Sequence, residues 1–281
     1  MLRRGKPETR DAITVSYRQI PRNDITMSQV VPVMQQPQAV VMAQPMAVGQ
    51  PVAMQDPVMM MNGVYIQQVF EAAELCGCEM PNRYKVFQLG PDGKSAVGEP
   101  VYYLQERQKG CGSFIYKQCL GPCRALTVDV HRGPVAHSQA KTHEIKKTCG
   151  NSTCMCCHSK STLIGGGFTQ PIEDKAPLLC CTPFICTGNK VSVAGFDIIG
   201  GCIGCGACPF CNYSMKVQGQ TDGAVSGMLG KIGGGCAELC TGTNRYAIQF
   251  PQQAGPQQRM ALIAAAIHMD LNYFEQKKGN N

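Results

Sequence analysis

No nucleophile elbow, P-loop, dinucleotide fingerprint or metalloprotease motif occurs in the 281 residues, which argues against a hydrolase or a kinase. The triple glycines Gly165–Gly167 and Gly233–Gly235 follow apolar residues, but neither is expected to open a helix that holds phosphate. Apolar runs are short. The least interrupted, Met260–Ile267, falls well below the roughly 20 residues that a bilayer-spanning helix needs. Charge is sparse as well: 16% of residues are charged and the net +7 is scattered, densest at Lys141, Lys146 and Lys147. That pattern gives no support for a nucleic-acid partner and leaves a weak attraction to anionic lipid. The opening "MLRRGKPETRDAITVSYRQ" lacks the apolar core of a signal peptide, so cytosolic, reduced thiols are expected.

Those thiols are what the chain has in excess, with eighteen cysteines. Reduced cysteines in such number call for a reason, and metal binding and S-acylation are the two main ones. In "GGCIGCGACPFCNYS", Cys202, Cys205, Cys208 and Cys211 repeat at every third residue. Thiolates so spaced can turn inward around zinc or an iron–sulfur cluster, although Pro209 sits inside the last gap. The plainer reading is that cysteine, small and apolar, fills turns beside Gly200, Gly201, Gly204 and Gly206. Cys154, Cys156 and Cys157 are candidates for S-acylation, since neighbouring thiols can carry the two chains that stable anchoring requires. Cys180 and Cys181 form a second such pair. His131, His137 and His143, six residues apart, could line a zinc site with Cys149 or simply be strand and loop residues.

Residues 1–62 are expected to be a disordered tail, because Ser28–Met61 is a Gln/Pro/Met/Val tract with recurrent proline and almost no charge. Such tracts act as spacers or as ligands of SH3 and WW domains. From Gly63 the chain turns into short β-rich runs, "YIQQVF", "RYKVFQL", "PVYYLQER", "ALTVDV", "STLIGGGF", "KVSVAGFDII", "YSMKVQG" and "RYAIQF". The turn signals "GPDGK", "TGNK" and "QTDGA" between them predict an antiparallel meander without βαβ units. One helix ends the domain: Pro256 opens "QQRMALIAAAIHMDLNYFEQKK", and Lys277 and Lys278 close it. It is apolar on nearly every face, so protein must surround it, and a closed barrel would do so. His268 and Asp270 are then expected as hydrogen-bonded core residues on different faces.

"TNRYAIQFP" followed by "RMALIAAAIHMDLNYFE" resembles the C-terminal signature of the phospholipid scramblases. There a strand with I-Q-F-P leads into an apolar helix ending in Asp and an aromatic-Glu pair, matched by Ile248, Gln249, Phe250, Pro251, Asp270, Phe274 and Glu275. "GMLGKIGGGCAELCTGTN", "KQCLGPCRALTVDVH", "GVYIQQVFEAAELCGCEMPNRYKV" and "DIIGGCIGCGACPFCNYSMKV" resemble further segments of that family in the same order.

The resemblance covers Gly63 to Gln276 and implies an all-β, tubby-like fold, a twelve-stranded antiparallel barrel around a buried C-terminal helix, with 277–281 as a polar end. It implies calcium-triggered, energy-independent movement of phospholipid between leaflets, without covalent chemistry. Attachment through S-acylated cysteines, at the cytoplasmic face of the plasma membrane, is implied with it. It also favours a packed hairpin for Cys202–Cys211, with zinc ahead of iron–sulfur if metal binds. Three departures stand out. The acylated run is thin, "CGNSTCMCCHS", and tryptophan is absent. The calcium segment carries no carboxylate from Cys240 to Gln258, leaving Thr241, Thr243, Asn244, Gln252 and Gln253 as neutral counterparts.

Overall fold

A computed structural model describes residues 56–71, 80–107, 124–149, 159–175, 188–202 and 209–274. Twelve antiparallel strands form the wall: β1 Gly63–Gln68, β2 Arg83–Leu89, β3 Ala96–Glu106, β4 Leu126–Arg132, β5 Lys141–Lys147 and β6 Lys160–Gly165, then β7 Phe168–Asp174, β8 Gly188–Val193, β9 Phe196–Cys202, β10 Tyr213–Gly219, β11 Val225–Lys231 and β12 Arg245–Gln249. Each pairs with its neighbours in sequence. The last pairs with the first, Val64 opposite Ile248 and Ile66 opposite Tyr246, so the sheet closes and leaves no edge strand.

Period-two alternation sets the lumen. Val64 and Ile66 of β1, Tyr84 and Val86 of β2, Leu104 of β3, Val128 and Val130 of β4, Met215 and Val217 of β10, and Ile248 of β12 are fully or almost fully buried. They pack on the long helix. Among the described residues two α-helices punctuate the chain, α1 Cys236–Thr241 between β11 and β12, and α2 Pro256–Met269 after β12. Every residue of α2 from Met260 to Met269 is at most 2% exposed, so the helix is core all round, as its sequence required. Burying Met260, Leu262, Ile263, Ile267 and Met269 contributes on the order of 10 kcal/mol. Its 14 residues span about 21 Å, and no helix among the described residues is long and apolar enough to cross a membrane.

Two features differ from the sequence expectation. The fold has a second helix, because the triple glycine Gly233–Gly235 does lead into α1. The chain also joins the domain before Gly63: Pro57–Met60 form a single 3-10 turn with Val58 fully buried. Arg259 of α2 clamps that turn, its Nη1 lying 3.1, 3.0 and 2.8 Å from the carbonyl oxygens of Val58, Met59 and Met61. Apolar Val58 and Met61 cap the lumen, which is why the packed part of the chain begins inside the Met-rich tract. The rest of the expected tail, residues 1–55, and the closing lysines Lys277 and Lys278 lie outside the described residues.

Replacing Ala265 by Asp would set an unpaired carboxylate at a fully buried position, at a cost of at least about 3–5 kcal/mol. Loss of cooperative unfolding in denaturant titration is expected. A variant that unfolds like the parent chain would contradict the buried helix.

Candidate functional site

The lumen is most polar at one end. Where α2 finishes, a single π turn, Asp270–Phe274, widens the backbone and buries Asp270, Leu271, Asn272 and Phe274. Around it the last inward-facing residue of successive strands is polar: Tyr84, Glu106, Lys147, Ser161, Asp174, Lys231 and Tyr246 are all buried. Asp270 is the hub. Its Oδ2 accepts from the Tyr84 hydroxyl at 2.6 Å, and its Oδ1 accepts from the Tyr246 hydroxyl at 2.5 Å and from Asn244 Nδ2 at 2.7 Å. The carboxylate and its burial drive the Tyr246 hydroxyl well above its ordinary pKa, burial being the larger cause. Nearby, the Tyr273 hydroxyl donates to Asp174.

Lys231 and Glu238 form a buried ion pair, and Lys231 also sits 5.8 Å from the Phe274 ring centroid. Glu238 Oε2 accepts from the Gly234 N–H at 2.7 Å, so α1 fills its own N-terminal turn with a carboxylate. The triple glycine therefore offers no free phosphate cradle. On the other side of the collar, Glu106 receives Arg124 Nη2 at 3.2 Å, and Lys147 Nζ donates to the Arg124 carbonyl at 3.2 Å. His268 Nδ1 lies 2.8 Å from Ser161 Oγ, fully buried, and burial with the Lys147 charge lowers its pKa to about 3. His268 and Asp270 are thus core residues on different faces.

The calcium-segment counterparts do not converge. Thr241, Thr243 and Asn244 precede β12, whereas Gln252 and Gln253 follow it and are exposed at the opposite end of a strand about 17 Å long. Thr241 Oγ1 donates to the Ala237 carbonyl at 2.7 Å and meets Thr243 Oγ1 at 2.8 Å. Asn244 turns its amide into the collar, donating to Asp270 and, at 3.2 Å, to the Phe274 carbonyl.

Cys154, Cys156, Cys157, Cys180, Cys181, Cys205 and Cys208 lie outside the described residues. Cys202 ends β9 and Cys211 is exposed beside Gly233, whose added Cβ would meet the Cys211 backbone at 3.0 Å. Gly200 allows another close approach, since a Cβ there would collide with Asn189 Oδ1 at 2.1 Å and the Tyr213 hydroxyl at 2.3 Å. Both contacts fit tight packing beside the cysteine run. His143 and Cys149 sit towards opposite ends of β5, and His131 Nδ1 is 2.8 Å from the His137 carbonyl, so that set is not brought together. Among the described residues no three His, Cys, Asp or Glu side chains are grouped to hold a metal.

The topology reveals what spacing could not. In a meander, alternate connections fall at the same rim, and the segments after β1, β3, β5, β7, β9 and β11 all leave from the polar end. All eighteen cysteines are in those segments or at the last residue of β9; residues 1–68 and 241–281 have none. Cys236 and Cys240, which sequence reading passed over, lie one helical turn apart and exposed on α1.

A family model described as Scramblase matches residues 42–276. The chain belongs to the scramblase family. It is 24% identical over 217 residues to phospholipid scramblase 1 of Homo sapiens, covering 75% of this chain and 63% of that protein. Phospholipid scramblase 2 of Bos taurus is 24% identical, covering 76% and 69%, and phospholipid scramblase 1 of Rattus norvegicus is 23% identical, covering 77% and 61%. The match thus spans somewhat under two thirds of the human and rat relatives. No solved structure matches this scramblase-family chain significantly.

Because His268 is neutral in the fold and charged when unfolded, the unfolded chain binds the extra proton between about pH 3 and about pH 6.5. Its contribution is complete above about pH 6.5 and is lost as pH falls. Buried His143, also lowered by desolvation, acts in the same direction. Carboxylates such as Glu144, held at about 2 by Lys146 and Lys141, add to the loss only at lower pH. The unfolding free energy read from denaturant titrations should therefore fall by about 2 kcal/mol from about pH 7 to about pH 5. His268→Gln should remove most of that slope; an unchanged slope would assign it elsewhere.

Proposed function

We propose that this protein attaches to the cytoplasmic face of phospholipid membranes by its cysteine-bearing rim and moves phospholipid between leaflets without covalent chemistry. The observation that carries this reading is the confinement of all eighteen cysteines to the connections at one end of a scramblase-family barrel. Thiols on a single rim can be acylated together, and several chains inserted on one side fix the barrel's orientation, where a single chain anchors only weakly. Supporting it, the curated relatives are named phospholipid scramblases. The lumen is filled by α2, so lipid would move along the outer wall or through membrane disturbed by the docked rim.

Acylation of Cys154, Cys156 and Cys157 makes the anchor, with Cys180 and Cys181 as the second pair. Hydroxylamine, which cleaves thioesters, should release the protein from membranes, and the triple serine variant should move to the soluble fraction. Retention of that variant would shift the anchor to other cysteines of the rim. In vesicles carrying a fluorescent phospholipid, the reconstituted protein should increase the fraction of label exchanged between leaflets. Firm attachment without exchange would make the protein a lipid-anchored scaffold instead.

Calcium is a poor trigger here. It takes six to eight oxygen ligands, usually several of them carboxylates. Near Thr241 and Asn244 the carboxylates are already engaged, Glu238 by Lys231 and Asp270 by Tyr84, Tyr246 and Asn244. Binding no tighter than roughly 10⁻³ M is expected, with lipid exchange unchanged by calcium. A saturable micromolar isotherm in calorimetry would overturn this.

A further inference from the structure

The outer wall beside α1 carries a feature that neither the calcium segment nor the cysteine rim explains. A depression of ≈ 350 Å³ opens between β1, β2, the start of β12 and α1. Its floor is one row across three neighbouring strands, with Lys85 and Arg245 each registered opposite Gln67. Tyr84, Ile66 and Tyr246 point into the lumen, so alternation turns Lys85, Gln67 and Arg245 outward. Their backbones are about 10 Å apart across Gln67, a span two long cationic side chains close easily. Thr241 and Thr243 line the same depression, with their hydroxyls already bonded to the Ala237 carbonyl and to each other.

No acidic residue is among the described residues that line it. Glu71, next along the chain, is already held by Arg83 at 2.5 Å. The contrast with the larger depression over β7 to β9 is informative. There Lys175 is paired with Glu173 at 2.5 Å and Lys190 with Asp197 at 2.7 Å, so its charge is internally balanced. By the α1 depression neither Lys85 nor Arg245 has a carboxylate partner among the described residues, while Arg245 is steadied by the Tyr65 hydroxyl. One flank is apolar. Phe70 and Phe87 line it, and Phe87 packs edge-on to Tyr65 with ring centroids 6.5 Å apart.

We propose that this depression binds a phosphate group, held between Lys85 and Arg245 with Gln67 as a neutral donor, and that the aromatic flank receives the apolar part of the molecule that carries it. A guanidinium grips two phosphate oxygens in one plane and an ammonium adds a point charge, a combination suited to a phosphate ester. The chemistry is shared by a phospholipid headgroup and a free phosphate ester. That the source is lipid rests on the membrane reading above; the phosphate site does not.

Flotation with phosphatidylcholine vesicles, with and without phosphatidic acid, and calorimetry with glycerol 3-phosphate separate the two. Lys85→Gln and Arg245→Gln should each weaken binding about tenfold or more, as expected for a lost charged hydrogen bond. Lys216→Gln, an exposed cation on the outer face of β10, should leave binding within about twofold. Dependence of vesicle binding on both residues supports the site with lipid as its source. Dependence in the glycerol 3-phosphate arm alone supports the site and counts against the membrane reading. Vesicle binding indifferent to both changes, or weakened equally by Lys216→Gln, overturns the site while leaving membrane attachment standing. Circular dichroism of each variant confirms the fold, which substitutions of partly exposed side chains should preserve.

Discussion

The burial of a helix that is apolar on every face is the constraint from which the rest follows. A helix with one apolar stripe can lie on a sheet, but α2 from Met260 to Met269 has no side it can show to water. Only a wall that closes around it satisfies that demand. Closure in turn requires β1 to pair with β12, although their sequence positions stand at opposite ends of the domain. It also removes every exposed sheet edge, so the barrel is protected against edge-to-edge association by the same packing that hides the helix.

A helix that fills a lumen must still finish somewhere, and its end determines the chemistry of that rim. The last turn holds His268, Asp270 and Asn272, all buried. The wall provides partners for the first two from strands remote in sequence, Tyr84 on β2, Ser161 on β6 and Tyr246 on β12, while the Asn272 amide donates back to the His268 carbonyl. The π turn rotates Asp270 towards two tyrosines and Asn244 at once. A buried carboxylate with three close donors is tolerable; with one removed, the charge is left exposed to a low-dielectric interior and the collar loses several kcal/mol. Asn244 and Glu238 accordingly serve the fold, the one bonded to Asp270 and the other paired with Lys231.

Much of the wall was legible because its inward positions are apolar. "RYKVFQL" and "YSMKVQG" coincide with β2 and β10, and Pro256 does begin α2. The strands that were missed fail that condition for physical reasons. In β5 the inward residues are His143, Ile145 and Lys147, so two of three are polar and the alternation vanishes. In β7 Pro171 interrupts a run whose last inward residue is Asp174, and β11, thinned by Gly227 and Gly230, is legible only through the resemblance of "GMLGKI". The six-residue α1 follows three glycines and is held by the Lys231–Glu238 pair, a tertiary contact with no local signal. For the site, sequence proximity misled: the calcium-segment residues are split by β12, while Tyr84 and Asp270 meet across most of the domain.

The same topological rule converts scattered cysteine motifs into a single surface. In sequence, "CMCC", the Cys180–Cys181 pair and the evenly spaced Cys202–Cys211 run look like separate candidates, each to be judged as metal ligand or lipid anchor on its own spacing. In a meander every second connection starts from the same rim, so the segments that carry those motifs all leave the barrel at one end. The opposite end is closed by tight turns such as 166–167 and 194–195 and by the Arg259 clamp on the 3-10 turn. Spacing within a motif is therefore the wrong scale for judging these thiols. The relevant quantity is how many of them fall in segments that leave the barrel at the same rim, beside its charged, hydrogen-bonded collar. The cysteines and the apolar packing are in this way assigned to different parts of the same chain, the connections and the lumen.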